Sequence, residues 1–148
     1  MGTEVREFLD TSAPFAAVYS ETGGARLILK LGETGAVSLW VGPWVLREIE
    51  GVLDRKSPKS KPYLALLLDR AQVQVGEEAE AGALAQARSV VDHAADAQVL
   101  AEALTAAADY VVSFDREHLL GNCGAGVFPI PIGTAGDFLA WFREQLTE

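Results

Sequence analysis

The sequence predicts an α/β protein in three layers, with helices on both faces of a central, mostly parallel sheet of five strands. Short apolar segments carrying β-branched or aromatic residues alternate with longer segments of helical spacing along the whole chain. That βαβ order makes neighbouring strands parallel and buries both faces of the sheet under the crossover helices. The size agrees: 148 residues, 49% apolar and 22% charged, suit one domain spanning 1–148 around a single core.

The first strand is read at 5–9, and a helical segment follows at 12–31, broken near Gly23-Gly24. A second strand at 36–41 leads into a helix at 43–54. The link "DRKSPKSKP" is too short to separate domains and leads into a helix at 60–69. A third strand at 72–75 precedes "GEEAEAGALAQA", which has helical propensity but weak apolar periodicity and is expected to be an exposed helix or loop within 78–91. A helix at 96–108, strands at 110–114 and 127–132, and a helix at 134–147 complete the chain. There is no internal repeat.

Charge narrows the function. The net charge of −9, from 12 basic and 21 acidic residues, argues against bulk electrostatic coating of nucleic acid. Half of the basic residues nevertheless fall in one stretch: Arg47, Arg55, Lys56, Lys59, Lys61 and Arg70. This reads as a solvated surface or as a local phosphate-binding patch. The single Cys123 offers neither an internal disulfide nor a zinc site. No uninterrupted apolar run long enough for a membrane span is present, and the start of the chain lacks the layout of a secretion signal, so a cytoplasmic protein without membrane partners is expected.

In a parallel α/β sheet, ligands collect outside the carboxyl ends of the strands. Asp10 follows the first strand and Asp115 the fourth. At 100° per residue, Glu48 lies roughly 60° from the apolar centre of its helix and Glu50 roughly 140° away, so Glu48 sits at the core boundary and Glu50 in solvent. On the next long helix Asp96 starts close to the buried stripe, whereas Glu102 is expected to point away from it. Taken singly, Asp10, Asp96 and Asp115 read as helix caps and Glu48 as an ion-pair partner. Together, four carboxylates at such positions would repel one another unless a cation neutralised them, and hard ions such as Mg²⁺ or Mn²⁺ do so while accepting phosphate oxygens. Such a site suits phosphodiester hydrolysis.

"FLDTS", "GPWVLREIEGVL", "DHAADAQVLAEALTAAADYVVSFDREHLL" and "VFPIPIGTAGDFL" resemble, in order and spacing, the motifs of the PIN-domain family, which includes the VapC-type ribonuclease toxins. The resemblance covers about residues 5–142. It implies a PIN-like sheet with an acidic cleft, Mg²⁺ or Mn²⁺, and RNA cleavage. By position, Asp10, Glu48, Asp96 and Asp115 correspond to the family's four acids. Ser12, where the family often has Asn, and Ser113, Arg47, Lys56, Lys59 and Lys61 are candidate substrate-binding residues. Phe114 stands where a small residue often precedes the last Asp.

The leading expectation is a metal-dependent endoribonuclease, the toxin of a toxin–antitoxin pair, with RNA, an antitoxin protein and a second copy of the chain as candidate partners. Two alternatives stay open: a catalytically weak PIN-like module that binds RNA or protein, and a phosphohydrolase acting on a small phosphate ester. "GNCGAG" does not match a dinucleotide fingerprint, and no P-loop is present. His93 and His118 read as structural, and Trp40, Trp44 and Trp141 mainly as core residues, with a stacking role for one of them as the lesser reading.

Overall fold

The computed structural model describes residues 4–114 and 128–147. Five strands, β1 (Arg6–Leu9), β2 (Ser38–Val41), β3 (Gln74–Val75), β4 (Tyr110–Val112) and β5 (Ile132–Gly133), form one sheet in the order β3-β2-β1-β4-β5. Every pairing between them is parallel. The described helices are α1 (Ser12–Tyr19), α2 (Gly24–Thr34), α3 (Pro43–Lys56), α4 (Lys61–Arg70), α5 (Ala81–Arg88), α6 (Ala94–Thr105) and α7 (Ala135–Leu146), with a 3-10 turn at Pro58–Ser60 inside the Pro-containing link. α6 packs on α3 and α5, and α2 packs on α1, α4 and α7, giving the α/β/α layering. None of the described helices is long and apolar enough to cross a membrane.

Both faces of the central strands are buried, and they carry mostly apolar residues, with Glu7 in β1 and Ser38 in β2 as buried polar exceptions. Phe8, Leu39, Val41, Val111 and Val112 have no exposed surface, and Leu100 and Phe138 are equally enclosed on the helices above them. Two glycines make the α2 packing possible. Gly35 ends α2 at φ 80°, a left-handed conformation that glycine adopts without strain, while Ala36 N–H closes the turn on the Leu31 carbonyl. At Gly32 a Cβ would meet the Ala71 carbonyl and a Leu39 methyl, each at 2.6 Å, so the missing side chain is what lets α2 approach β2.

Several boundaries differ from the sequence reading, each for a local reason. The fourth strand stops at Val112 because the Phe114 N–H turns away to the Ser12 hydroxyl, at 2.9 Å. The fifth strand is two residues long, although Phe128 and Ile130 are buried beside it. Pro129 and Pro131 lack the N–H that a ladder needs, so this segment joins the sheet first through the Pro131 carbonyl, which accepts from Val111 N–H at 3.0 Å. The Ala/Glu-rich segment is helical at 81–88 and packs on α6, burying Ala87.

Glu7 lies in the middle of β1, opposite Leu39 and Tyr110, with no exposed surface. Neither of its carboxyl oxygens has a hydrogen-bond partner among the described residues. Burial pushes its pKa up to about 9, so the folded chain holds it as a neutral acid at pH 7. The unfolded chain ionises near pH 4.5. The stability linked to Glu7 is therefore complete below about pH 4.5 and is lost as the pH rises toward 9, at no more than about 1.4 kcal/mol per pH unit. Glu7→Gln should melt well above the parent at pH 8 and close to it at pH 4.5. Equal melting shifts at the two pH values, by differential scanning fluorimetry, would refute the buried neutral acid.

Candidate active site

The sheet order reverses between β1 and β4: from β1 the chain builds outward through β2 and β3, then returns to add β4 and β5 on the other side. A crevice opens at such a switch point, at the carboxyl ends of the strands. Asp10 and Ser113 stand on either side of it, and Asp10 N–H donates to the Val112 carbonyl at 3.0 Å, tying the two strand ends together. The cleft here has a volume of about 360 Å³. Asp10, Thr11, Ser12 and Phe15 line it from β1 and α1, Trp44 and Glu48 from α3, and His93, Ala95, Asp96 and Val99 from the start of α6.

The Asp10 side chain is buried and held by hydroxyls. Ser113 Oγ donates to Asp10 Oδ2 at 2.7 Å and Ser12 Oγ donates to the same oxygen at 3.1 Å. Ser12 in turn accepts from Phe114 N–H, which fixes its orientation. Phe114 itself packs half-buried against the core. Reading Asp10 and Asp96 as helix N-caps does not survive. Thr11 is the N-cap of α1 and His93 that of α6, which starts two residues earlier than read, and neither side chain makes a cap bond. Asp96 is in the first turn of α6, where the positive end of the helix dipole favours a carboxylate. It is 9% exposed and faces the cleft.

Glu48 is half-buried on the cleft wall, and Glu50, two residues on, is exposed. Arg47 is beside Glu48 on the rim, 3.6 Å from Glu78 in a pair whose side chains are both more than half exposed. Lys56 and Lys59 are exposed at the end of α3 and in the turn after it. Lys61 pairs with Asp54 at 2.8 Å and borders a separate groove between α3 and α4, lined by Leu46, Leu53, Leu64 and Leu68. Asp115, Cys123 and His118 lie outside the described residues. His93, read from the sequence as structural, is an exposed residue of the cleft wall, and Trp44 lines the cleft as well.

Glu102 departs from its reading. It is 1% exposed rather than in solvent, because α6 is covered by α3 on the side that a count against the sheet alone leaves open. Both carboxylate oxygens accept from Trp44 N–H, at 3.2 Å each. α3 begins at Gly42-Pro43 and has no capping side chain of its own, so a carboxylate from α6 satisfies its first free amide. A Cβ at Gly42 would overlap that carboxylate. Burial raises the Glu102 pKa, while the amide bond and the nearby Arg47 charge oppose the rise. The contact joins the helix of Glu48 to the helix of Asp96. The sequence signal that would have found it is an uncapped helix start, which requires an acceptor from elsewhere.

The donor set facing the cleft is mainly oxygen: three carboxylates, two hydroxyls behind one of them, and the His93 imidazole on the wall. Among the described residues, no three carboxylate, imidazole or thiolate groups come within reach of one ion. The set fits a hydrated hard cation, which keeps most of its waters and takes one or two carboxylates directly.

A family model described as a PIN domain matches residues 6–117. Solved structures share the fold. VapBC2 from Rickettsia felis, bound to a DNA fragment from its promoter, superposes with a TM-score of 0.63 at 13% identity, over 86% of this chain and 97% of that one. PAE2754 from Pyrobaculum aerophilum gives 0.62 at 18% identity, over 95% and 91%. VapC20 of Mycobacterium tuberculosis, a sarcin–ricin loop cleaving toxin, gives 0.54 at 18% identity, over 80% and 96%. No curated protein matches the sequence.

The clamp on α3 yields a stability test. Glu102→Ala should lower the unfolding free energy in urea by about 1–2 kcal/mol, the worth of a helix cap. Gly42→Ala, harmless to an extended N-cap by conformation alone, should cost at least as much, because the new methyl group displaces the carboxylate. A neutral Gly42→Ala would refute the arrangement.

Proposed function

The chain belongs to the PIN-domain family, and from that premise we propose that it is an endoribonuclease dependent on Mg²⁺ or Mn²⁺. The observation that carries the proposal is the meeting of Asp10, Glu48 and Asp96, from three separate elements, on the wall of one cleft at the sheet switch point. In this reading one or two of the three acids would bind a hydrated cation directly and the rest would hold its waters, with Asp115 as the fourth acid on the resemblance of its motif. When bound, the ion would orient a phosphate oxygen, lower the pKa of an attacking water and offset the charge that builds on the leaving oxygen.

The chain's own groups set the stage for that chemistry. The Ser12 and Ser113 hydroxyls hold one oxygen of Asp10, so its carboxylate does not have to reorganise when ligand arrives. The apolar walls of Phe15, Trp44 and Val99 displace water and strengthen the electrostatics inside. Arg47 is placed to meet a backbone phosphate; Lys56, Lys59 and Lys61 stay candidates from the sequence, with Lys61 held by Asp54 at a separate groove. A role as the toxin of a toxin–antitoxin pair, with an antitoxin and a second copy as partners in the cytoplasm, rests on the resemblance to VapC-type toxins. It is supported by the likeness in fold to VapC20 and VapBC2.

One observation favours a second reading. Because no three ligand groups among the described residues reach one ion, a module that binds RNA without cutting it remains the competing proposal. Metal response separates the two. For the nuclease, millimolar Mn²⁺ should raise the melting temperature of the parent, and Asp10→Asn and Asp96→Asn should abolish the rise. The same two variants, and chelation of the parent, should slow RNA cleavage roughly a hundredfold or more. Glu50→Gln, exposed on α3, should leave both readouts unchanged. A parent whose melting curve ignores Mn²⁺ and which leaves RNA intact would sink the nuclease in favour of the binding module.

A further inference from the structure

We propose that the outward stripe of α3 is a binding track for single-stranded RNA, with Trp44 as a base-stacking platform and Arg47 and Arg55 as phosphate contacts. The inference rests on the ribonuclease reading and adds a strand path to it. A second groove, of about 420 Å³, is lined by Trp44, Arg47, Glu48, Gly51, Val52 and Arg55. It shares Trp44 and Glu48 with the acidic cleft, so the two are continuous. At 100° per residue, positions 44, 47, 48, 51 and 55 fall within an arc of roughly 100° on one side of the helix. From Trp44 to Arg55 the stripe runs about 16 Å, which is the reach of a short oligonucleotide and exceeds that of a small phosphate ester.

The chemistry of the stripe is graded. Trp44 is half-buried, packs against the core and lines both the acidic cleft and the groove, which puts an aromatic ring where the two meet. Base stacking on such a surface tolerates any sequence. Arg47 and Arg55 follow as cations on a chain whose net charge is −9. The Arg47 pair with Glu78, at 3.6 Å between two exposed side chains, is screened by water and exchanges readily for a phosphate. Arg55 is exposed and has no carboxylate partner among the described residues.

Gly51 is the most telling position. Glycine is the poorest helix former after proline, yet it occupies the interior of a 14-residue helix. Packing does not require it there: a Cβ would meet nothing closer than the Arg55 guanidinium, at 3.7 Å. The absent side chain opens the groove floor between Trp44 and Arg55. A strand seated there would have bases toward Trp44 and phosphates over Gly51, within reach of both guanidinium groups.

The test uses the full chain, a fluorescein-labelled six-nucleotide single-stranded RNA read by anisotropy, and cleavage of the same RNA in Mn²⁺. Arg47→Ala and Arg55→Ala should each weaken hexamer binding roughly tenfold and flatten the log–log salt dependence by about 0.7. Gly51→Leu, which fills the floor with a better helix former, should weaken binding as strongly while melting no lower than the parent. Gly51→Ala, with room for its methyl group, should bind like the parent. All of these should raise KM, or in the last case preserve it, with kcat within about twofold and the Mn²⁺-induced rise in melting temperature intact. Lys30→Ala, an exposed charge on α2, should change nothing. A parent that binds the hexamer while Arg47→Ala, Arg55→Ala and Gly51→Leu bind equally well overturns the track and leaves the nuclease standing. A parent that binds no RNA at all overturns both.

Discussion

The parallel pairing of β1 with β4 is the constraint from which the rest follows. Three consecutive registers, Glu7 with Tyr110, Phe8 with Val111 and Leu9 with Val112, bring chain segments a hundred residues apart into adjacent strands. The ladder continues past the strand ends, through Asp10 N–H on the Val112 carbonyl. Because the chain adds strands on opposite sides of this pair, a crevice opens at its carboxyl end, and the cleft among the described residues is a consequence of topology. The Ser113 hydroxyl on Asp10 is a side-chain extension of the same pairing. Any change that slips the β1–β4 register by one residue would point Asp10 and Ser113 to opposite faces of the sheet.

Two buried acids illustrate how context decides the sign of a burial. Glu102 and Glu7 are both almost fully removed from water. Glu102 has a helix start to satisfy, so its carboxyl oxygens are used where an apolar residue would leave an amide without a partner. Glu7 has no hydrogen-bond partner among the described residues and is tolerated only by holding its proton. The first locks the two helices that carry Glu48 and Asp96. The second is a liability that an apolar residue would relieve, set directly behind the strand end that carries Asp10.

The order and type of the elements were legible in the sequence because apolar periodicity reports directly on which side of an element is covered. The ends were less legible, because they depend on competition between partners. Phe114 N–H meets a serine a hundred residues away, and prolines remove donors from a segment that is otherwise apolar enough to be a strand. At the site, helical phase separated Glu48 on the cleft wall from Glu50 in solvent. The same count failed for Glu102, since it assumes one buried side per helix and α6 has two. Phase also says nothing about which half-exposed residues line an opening, which is why His93 and Trp44 were read as structure. The lysines near position 60 were grouped by proximity in sequence, and the fold distributes them: Lys61 turns to Asp54 and the groove between α3 and α4, and Lys59 to solvent.

The shortness of the outer strands bears on how copies of this chain behave at high concentration. An open sheet edge presents unpaired amides and carbonyls that invite a strand from another molecule, the first step toward aggregates. On the β5 side, Pro129 and Pro131 interrupt the row of donors, and only Ile132 and Gly133 run as strand. On the β3 side the edge is again two residues, Gln74 and Val75, although the Val75 side chain is 53% exposed. Neither described edge is long enough to seed a ladder. Among the described residues, sheet extension thus offers a second copy only two short rows of backbone groups, and the helix faces are the larger surface.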